Sequence, residues 1–317
     1  MARLTWIKVK QCKESQYFSK RRFCANDRPQ RKTDMGKAEP MSYKIIATIL
    51  TDTEQSAEAL DAAIALADRM DAHLDVYVVT ISHTETNNYY IGAEALMVAQ
   101  QTTDAMAQRE AIETWLSQRM RSEVVRWSSQ AATVQGPALT SYLARKLRFS
   151  DLVVLPRPYQ DNPEAASLVE ACLFAAERPV LMIPKGCKAP DAGGHVLMGW
   201  NDGAEALAAA RAAMPLLEQA DITDICIIDP PMHAADRSDP GGAMAQYLMR
   251  HGTKSEVAVL AKTEPHVGDI LLRRAKEVGA KMIVSGAYSH SRLREAVFGG
   301  ATRNLLEMAD LPILMSR

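Results

Sequence analysis

The chain has 317 residues, of which 47% are hydrophobic and 24% charged, with a formal net charge of −1 and five cysteines. That length accommodates two domains of ordinary size, and no run of about eighteen apolar residues is present to span a membrane. The cysteines, at 12, 24, 172, 187 and 226, form no CxxC pair, which argues against a disulfide framework and for free thiols in a reducing compartment, with a cytoplasmic location expected.

Residues 1–40 carry eleven Lys or Arg against four Asp or Glu. This surplus of seven leaves minus eight on the rest, and a mildly acidic body argues against nonspecific nucleic-acid binding by the folded part. The leader has neither helical nor strand periodicity and reads as disordered. A basic arm or an organelle transit peptide is the sharper alternative. Met41 stands directly before a strand, so residues 1–40 also read as translated leader upstream of a start at Met41.

From Met41 the elements come in a repeated order. KIIATIL reads as a strand, SAEALDAAIALADRM (56–70) has helical apolar spacing, and LDVYVVTI is a second strand. In the second half HVLMGW is a strand, AEALAAARAAMPLLEQ (204–219) a helix and DICIID the next strand. Each half continues through helix, strand, helix, strand, helix and a final strand. Those final strands, RPVLMIP at 178–184 and LPILMSR at 311–317, share proline, aliphatic, leucine and methionine in register, and the preceding strands DLVVL and KMIVS correspond in position. Strands alternating with long helices require crossovers, hence α/β folding with parallel strands and helices on both faces. Right-handed crossovers make each unit doubly wound, and the binding crevice of such a sheet lies at the carboxyl ends of its strands, where the winding reverses. The loop after strand one, Trp200–Gly203, and the loop after strand four converge there in the second half.

The strand-four loop, GAYSHSRLREAVFGGAT (286–302), has glycines at both ends and basic residues between. Glycines let backbone approach a ligand, and the amides of a following helix favour an anion. An ordinary connection whose glycines only turn the chain is the plain alternative. His290, Arg292 and Arg294 supply positive charge, and an Arg can hold a phosphate through two parallel bonds; as side chains of a solvated loop they need no ligand. Arg303, early in the last helix, is unfavourable against the helix dipole unless an anion lies nearby.

The tandem halves, the segment AKMIVSGAYSHSRLREAVFGG and the closing LPILM resemble the universal stress protein family, with two such domains over residues 41–187 and 195–317. The resemblance implies two doubly wound, mostly parallel five-stranded sheets, Rossmann-like and akin to the adenine nucleotide alpha hydrolases. It also implies ATP or a related adenine nucleotide as ligand, with or without magnesium. The nucleotide-binding branch carries a glycine, two residues, a second glycine, nine residues, then glycine and Ser or Thr. Gly286 fits the first position, Ser289 replaces the second glycine, Gly299 falls at the third, and Gly300 takes the hydroxyl position. Thr302 offers a hydroxyl nearby, to a phosphate or as a helix cap. The family's acidic residue at the end of strand one corresponds to Asn201, followed by Asp202. Trp200 could stack on a base, or be core.

The first half departs further. Its counterpart of the loop, LPRPYQDNPEAASLVEAC (155–172), has Pro156 in place of Gly286 and no glycine, which leaves little room for backbone to wrap a triphosphate. Asp52 follows its strand one and also suits a helix cap. The resemblance implies that the final strands pair within one chain as a pseudo-dimer; association of two chains is open. No HExxH, Walker loop or GxSxG elbow occurs, so no metal site is expected and no base or nucleophile is evident. The expected function is a regulatory ATP-binding module of the stress response acting through its second domain. The alternatives are an interaction protein of the same fold that binds no nucleotide, and a slow ATP hydrolase.

Overall fold

The computed structural model describes residues 22–24, 41–82, 93–158, 163–230, 239–287 and 305–317. In the first half the strands are β2 (Ile45–Leu50), β3 (His73–Ser82), β4 (Arg126–Gln135), β5 (Leu152–Pro156) and β6 (Val180–Ile183), preceded by a short β1 (Arg22–Cys24). The helices between them are α1 (Ala57–Met70), α2 (Ala93–Arg119), α3 (Leu139–Leu147) and α4 (Pro163–Glu170), the last running into one π-helical turn at Ala171–Ala175. The second half repeats the order with β7 (His195–Gly199), α5 (Ala204–Leu217), β8 (Ile222–Ile228), α6 (Gly242–Arg250), β9 (Ser255–Leu260), α7 (Val267–Val278), β10 (Ala280–Gly286), a helical turn at 305–308 and β11 (Ile313–Ser316).

The strands lie in the order β1-β4-β3-β2-β5-β6-β11-β10-β7-β8-β9. Among β2–β6 and among β7–β11 every pairing is parallel. The two five-stranded sheets meet edge to edge through their final strands and make one continuous sheet. β6 runs antiparallel to β11, with Met182 opposite Ile313 and Leu181 opposite Leu314. The merger has a plain cause: either strand left as an edge would present unpaired amides and carbonyls along a fully apolar ribbon.

The pleat explains why the strands read as unbroken apolar runs. β3 sends Leu74, Val76 and Val78 into one core layer and Tyr77 and Val79 into the other, as required of a sheet covered on both faces. Helices α1, α2, α5 and α6 bury their apolar sides on the first layer, and α3, α4, α7 and the turn at 305–308 on the second. The layers run through both halves. Cross-half bonds reinforce the seam: Tyr43 donates its hydroxyl to the carbonyl of Ala212 on α5 at 2.6 Å, and the Met41 amide bonds Glu218 at 2.9 Å.

The leader departs from its reading in one place. Arg22–Cys24 form β1, antiparallel to β4 with Phe23 opposite Ser128, so β4 is not the edge of the sheet, whereas β9 on the far side pairs only with β8 among the described residues. Three residues are too few for periodicity to reveal a strand.

Candidate functional site

In the second half β7 pairs with β8 on one side and β10 on the other, both parallel. The chain winds outward from β7 in one direction and then in the other, so the reversal falls between β7 and β10, and the crevice opens at their carboxyl ends. β7 delivers Trp200 and Asn201 to its rim, and β10 delivers Gly286.

Trp200 continues the ladder, its amide bonding the carbonyl of Cys226 at 2.9 Å, and its ring packs half-buried against the core layer. Asn201 is exposed, and its Oδ1 accepts the Gly203 amide at 3.0 Å. Between them Asp202 takes a left-handed φ of 59°, a conformation that Asp tolerates better than most residues with a Cβ. A Cβ on Gly203 would stand 2.8 Å from Asn201 Oδ1 and 3.3 Å from Glu205 Oε2, so a larger residue there would displace the Asn201 amide from its bond to the loop. The Asn-Asp-Gly run was therefore a turn signal in its own right.

Gly203 is the N-cap of α5 and brings no side-chain bond to the helix start. The first intrahelical bond runs from the Leu207 amide to the Gly203 carbonyl, so the amides of Ala204, Glu205 and Ala206 lie at the positive end of the helix dipole. Gly286 is what lets this end come down onto the sheet. A Cβ on Gly286 would stand 2.6 Å from Ala206 N and 2.7 Å from the carbonyl carbon of Glu205. It has no positive φ; the close approach it permits is that of the α5 backbone.

The corresponding place in the first half is built otherwise. Pro156 lies opposite Ile183 as Gly286 lies opposite Ser316, so a ring stands where the second half has only a hydrogen. The loop from β2 to α1 accordingly spans six residues, 51–56, against four from β7 to α5, 200–203. Within it Asp52 Oδ1 accepts the amides of Glu54 and Gln55, and Oδ2 faces the Thr51 hydroxyl. This carboxylate holds the turn before α1. Next to Pro156 the guanidinium of Arg157 is buried, and its Nη1 donates to the carbonyl of Leu306 in the other half. The first-half crevice thus contributes a bolt across the molecule.

Of the residues singled out in the sequence, Asn201 and Gly286 are brought together at one rim. Ser289, Arg292, Gly299, Gly300 and Thr302, with His290, Arg294 and Arg303, lie outside the described residues. Among the described residues no three His, Cys, Asp or Glu side chains are grouped to hold a metal ion, and no helix is long and apolar enough to cross a membrane. Cys172 and Cys226 are buried free thiols; burial pushes Cys226 up to about 11 and Cys172 higher still, so neither is a ready nucleophile.

Among solved structures, 86% of the chain superposes on a universal stress protein from Archaeoglobus fulgidus, covering 96% of it with a TM-score of 0.62 at 10% identity. This is the fold of the universal stress proteins. A functionally unknown protein from Pseudomonas aeruginosa matches over the same share of the chain and 92% of its own, with a TM-score of 0.54 at 17% identity. A provisionally assigned universal stress protein from another strain of that species matches with a TM-score of 0.55 at 16% identity, over the same shares. No protein-family model and no curated protein sequence matches the chain. At such identities the likeness to universal stress proteins is one of fold, and it spans both halves.

Proposed function

We propose that the chain is a tandem universal stress protein that binds ATP or a related adenine nucleotide in the crevice of its second half and acts as a regulatory module of the stress response. The observation that carries this reading is the meeting of Asn201, Gly286 and the uncapped start of α5 at the reversal of the winding. These groups present hydrogen-bond donors on the described side of the crevice, which fits a ligand rich in acceptors. Gly299 and Gly300 with Arg292, Ser289 and Thr302 would hold the phosphates; Asn201 would meet the nucleoside. The first half, with Pro156 at its rim and its acid Asp52 engaged in a turn, serves as structural partner.

A second reading, an interaction protein of the same fold without nucleotide, is favoured by one observation. The space above Gly286 is taken by α5, so that glycine has a packing reason to be there. Release of bound ligand separates the two. The full-length protein is purified and denatured, the supernatant is chromatographed for adenine nucleotide, and Arg292→Ala and Gly299→Asp are carried beside it. Nucleotide in the wild type and its loss from both variants is the expected result; no nucleotide, and no uptake of added ATP with magnesium, would contradict the first reading. Conversion of ATP to ADP would replace a regulatory role by an enzymatic one. Gly286→Asp is a poor probe, because its side chain would strike α5 whether or not a ligand binds.

A further inference from the structure

The two outer edges of the sheet are finished differently. β1 closes the outer edge of β4 in antiparallel pairing, whereas β9 pairs only with β8 among the described residues. The ladder with β8 fixes which main-chain groups of β9 are left over. The Thr223 amide donates to the carbonyl of Lys254, and the Asp229 amide to that of Leu260. A strand turns alternate residues towards a given neighbour. Glu256 and Ala258 therefore face β8 together with Lys254 and Leu260, and Ser255, Val257 and Val259 turn their amides and carbonyls to the free side. The register with β8 runs unbroken from Ser255 to Leu260, and SEVAVL contains no proline. An edge without a bulge, a proline or a covering element is a template for another strand.

The side chains of β9 are sorted as a partner strand would need. Glu256, Ala258 and Leu260 lie on one face of the sheet, and Val257 and Val259 on the other. Val257 is 40% and Val259 49% exposed, and Glu256 and Lys262 are exposed as well. We infer that β9 is a homodimer edge, at which a second copy of this chain adds its own β9 antiparallel about a two-fold axis at Val259 and joins two eleven-stranded sheets into one. Three two-fold registers centre on the middle of the strand, and charge selects among them. Centring on Ala258 sets Lys254 against Lys262 of the other copy. Centring on Val257 sets Lys254 against Leu260 and Glu256 against Ala258, so neither charge finds a partner. Centring on Val259 sets Glu256 against Lys262 twice on one face, and makes an apolar row of Val257, Val259 and Ala261 on the other. Opposite charges directly across a strand pair stabilise it and like charges weaken it. This inference does not rest on the nucleotide reading.

Sedimentation velocity over a wide range of concentration measures the association of the full-length protein. The wild type is compared with Val259→Pro, Glu256→Lys, Lys262→Glu and the double swap of Glu256→Lys with Lys262→Glu. Proline at 259 removes an amide that faces away from β8, so the urea midpoint of the diluted protein should be kept while the dimer is lost. Each single reversal should weaken dimerisation about tenfold, because it sets like charges against each other twice, and the double swap should restore it. A wild type that stays monomeric at every concentration overturns the inference. So does a dimer that survives Val259→Pro, since it would form through another surface. A double swap that stays as weak as the single reversals overturns the register, and with it the charge argument for a second copy.

Discussion

Gly286, Arg157 and Glu170 show how much of the packing is decided at single positions. Adding one methyl at Gly286 would place carbon 2.6 Å from a backbone nitrogen of α5, well inside van der Waals contact, and backbone cannot swing aside as a flexible side chain can. Gly286→Ala is expected to cost about 1–3 kcal/mol, read as a lower midpoint in urea denaturation with an unchanged slope. Arg157→Ala removes a charged donor from a buried carbonyl acceptor, and a loss of about 1.5–3 kcal/mol is expected by the same measurement. Glu170 differs in sign. Burial alone raises its carboxyl above the usual value, and Oε1 has no partner, so the folded protein favours the protonated form. Stability from this group is complete below the unfolded pKa and is lost as pH rises through the folded one. Glu170→Gln should therefore melt above the wild type at neutral pH, with the difference closing towards pH ~4; a difference that widened on acidification would contradict it.

At the level of elements, the repeat in the sequence carried most of the fold, and the limits of that legibility have physical causes. The strands β5, β6, β10 and β11 are short apolar runs at matching places in each half, and these were readable because both faces of the sheet are covered. The joining of two sheets into one depends on Met182 meeting Ile313 across 131 positions, which no local periodicity encodes and which only the family resemblance implied. At the candidate site, Asn201 and Gly286 could be placed at one rim from strand order alone, whereas the reason for Gly286 could not, because its neighbour in space is a helix that begins 82 residues earlier. Asn201, Asp202 and Gly203 were individually visible, but the turn they form had to be seen to learn that the Asn201 side chain accepts the Gly203 amide. The seam itself is open to a contrast. Met182 is fully buried where β6 meets β11, while Val257 on edge strand β9 is 40% exposed. Met182→Ala should cost about 2–5 kcal/mol in denaturant unfolding, and Val257→Ala well under half of that.

For the whole molecule, two halves with the same order of elements are built differently at corresponding places. Both core layers run unbroken from α1 to α6 and from α3 to the turn at 305–308, and Arg157 and Tyr43 each cross from the first half to the second. The first half gives its crevice residues to support, with Pro156 filling the rim, Arg157 bolting the far helical turn and Asp52 closing its own loop. The second half has Gly286 where the first has Pro156, and α5 packs directly over it. On the proposed reading such a division leaves one nucleotide site per chain, and calorimetric titration of the full-length protein with ATP and magnesium measures the number directly. The account predicts one nucleotide per chain; two per chain, or none, would contradict it.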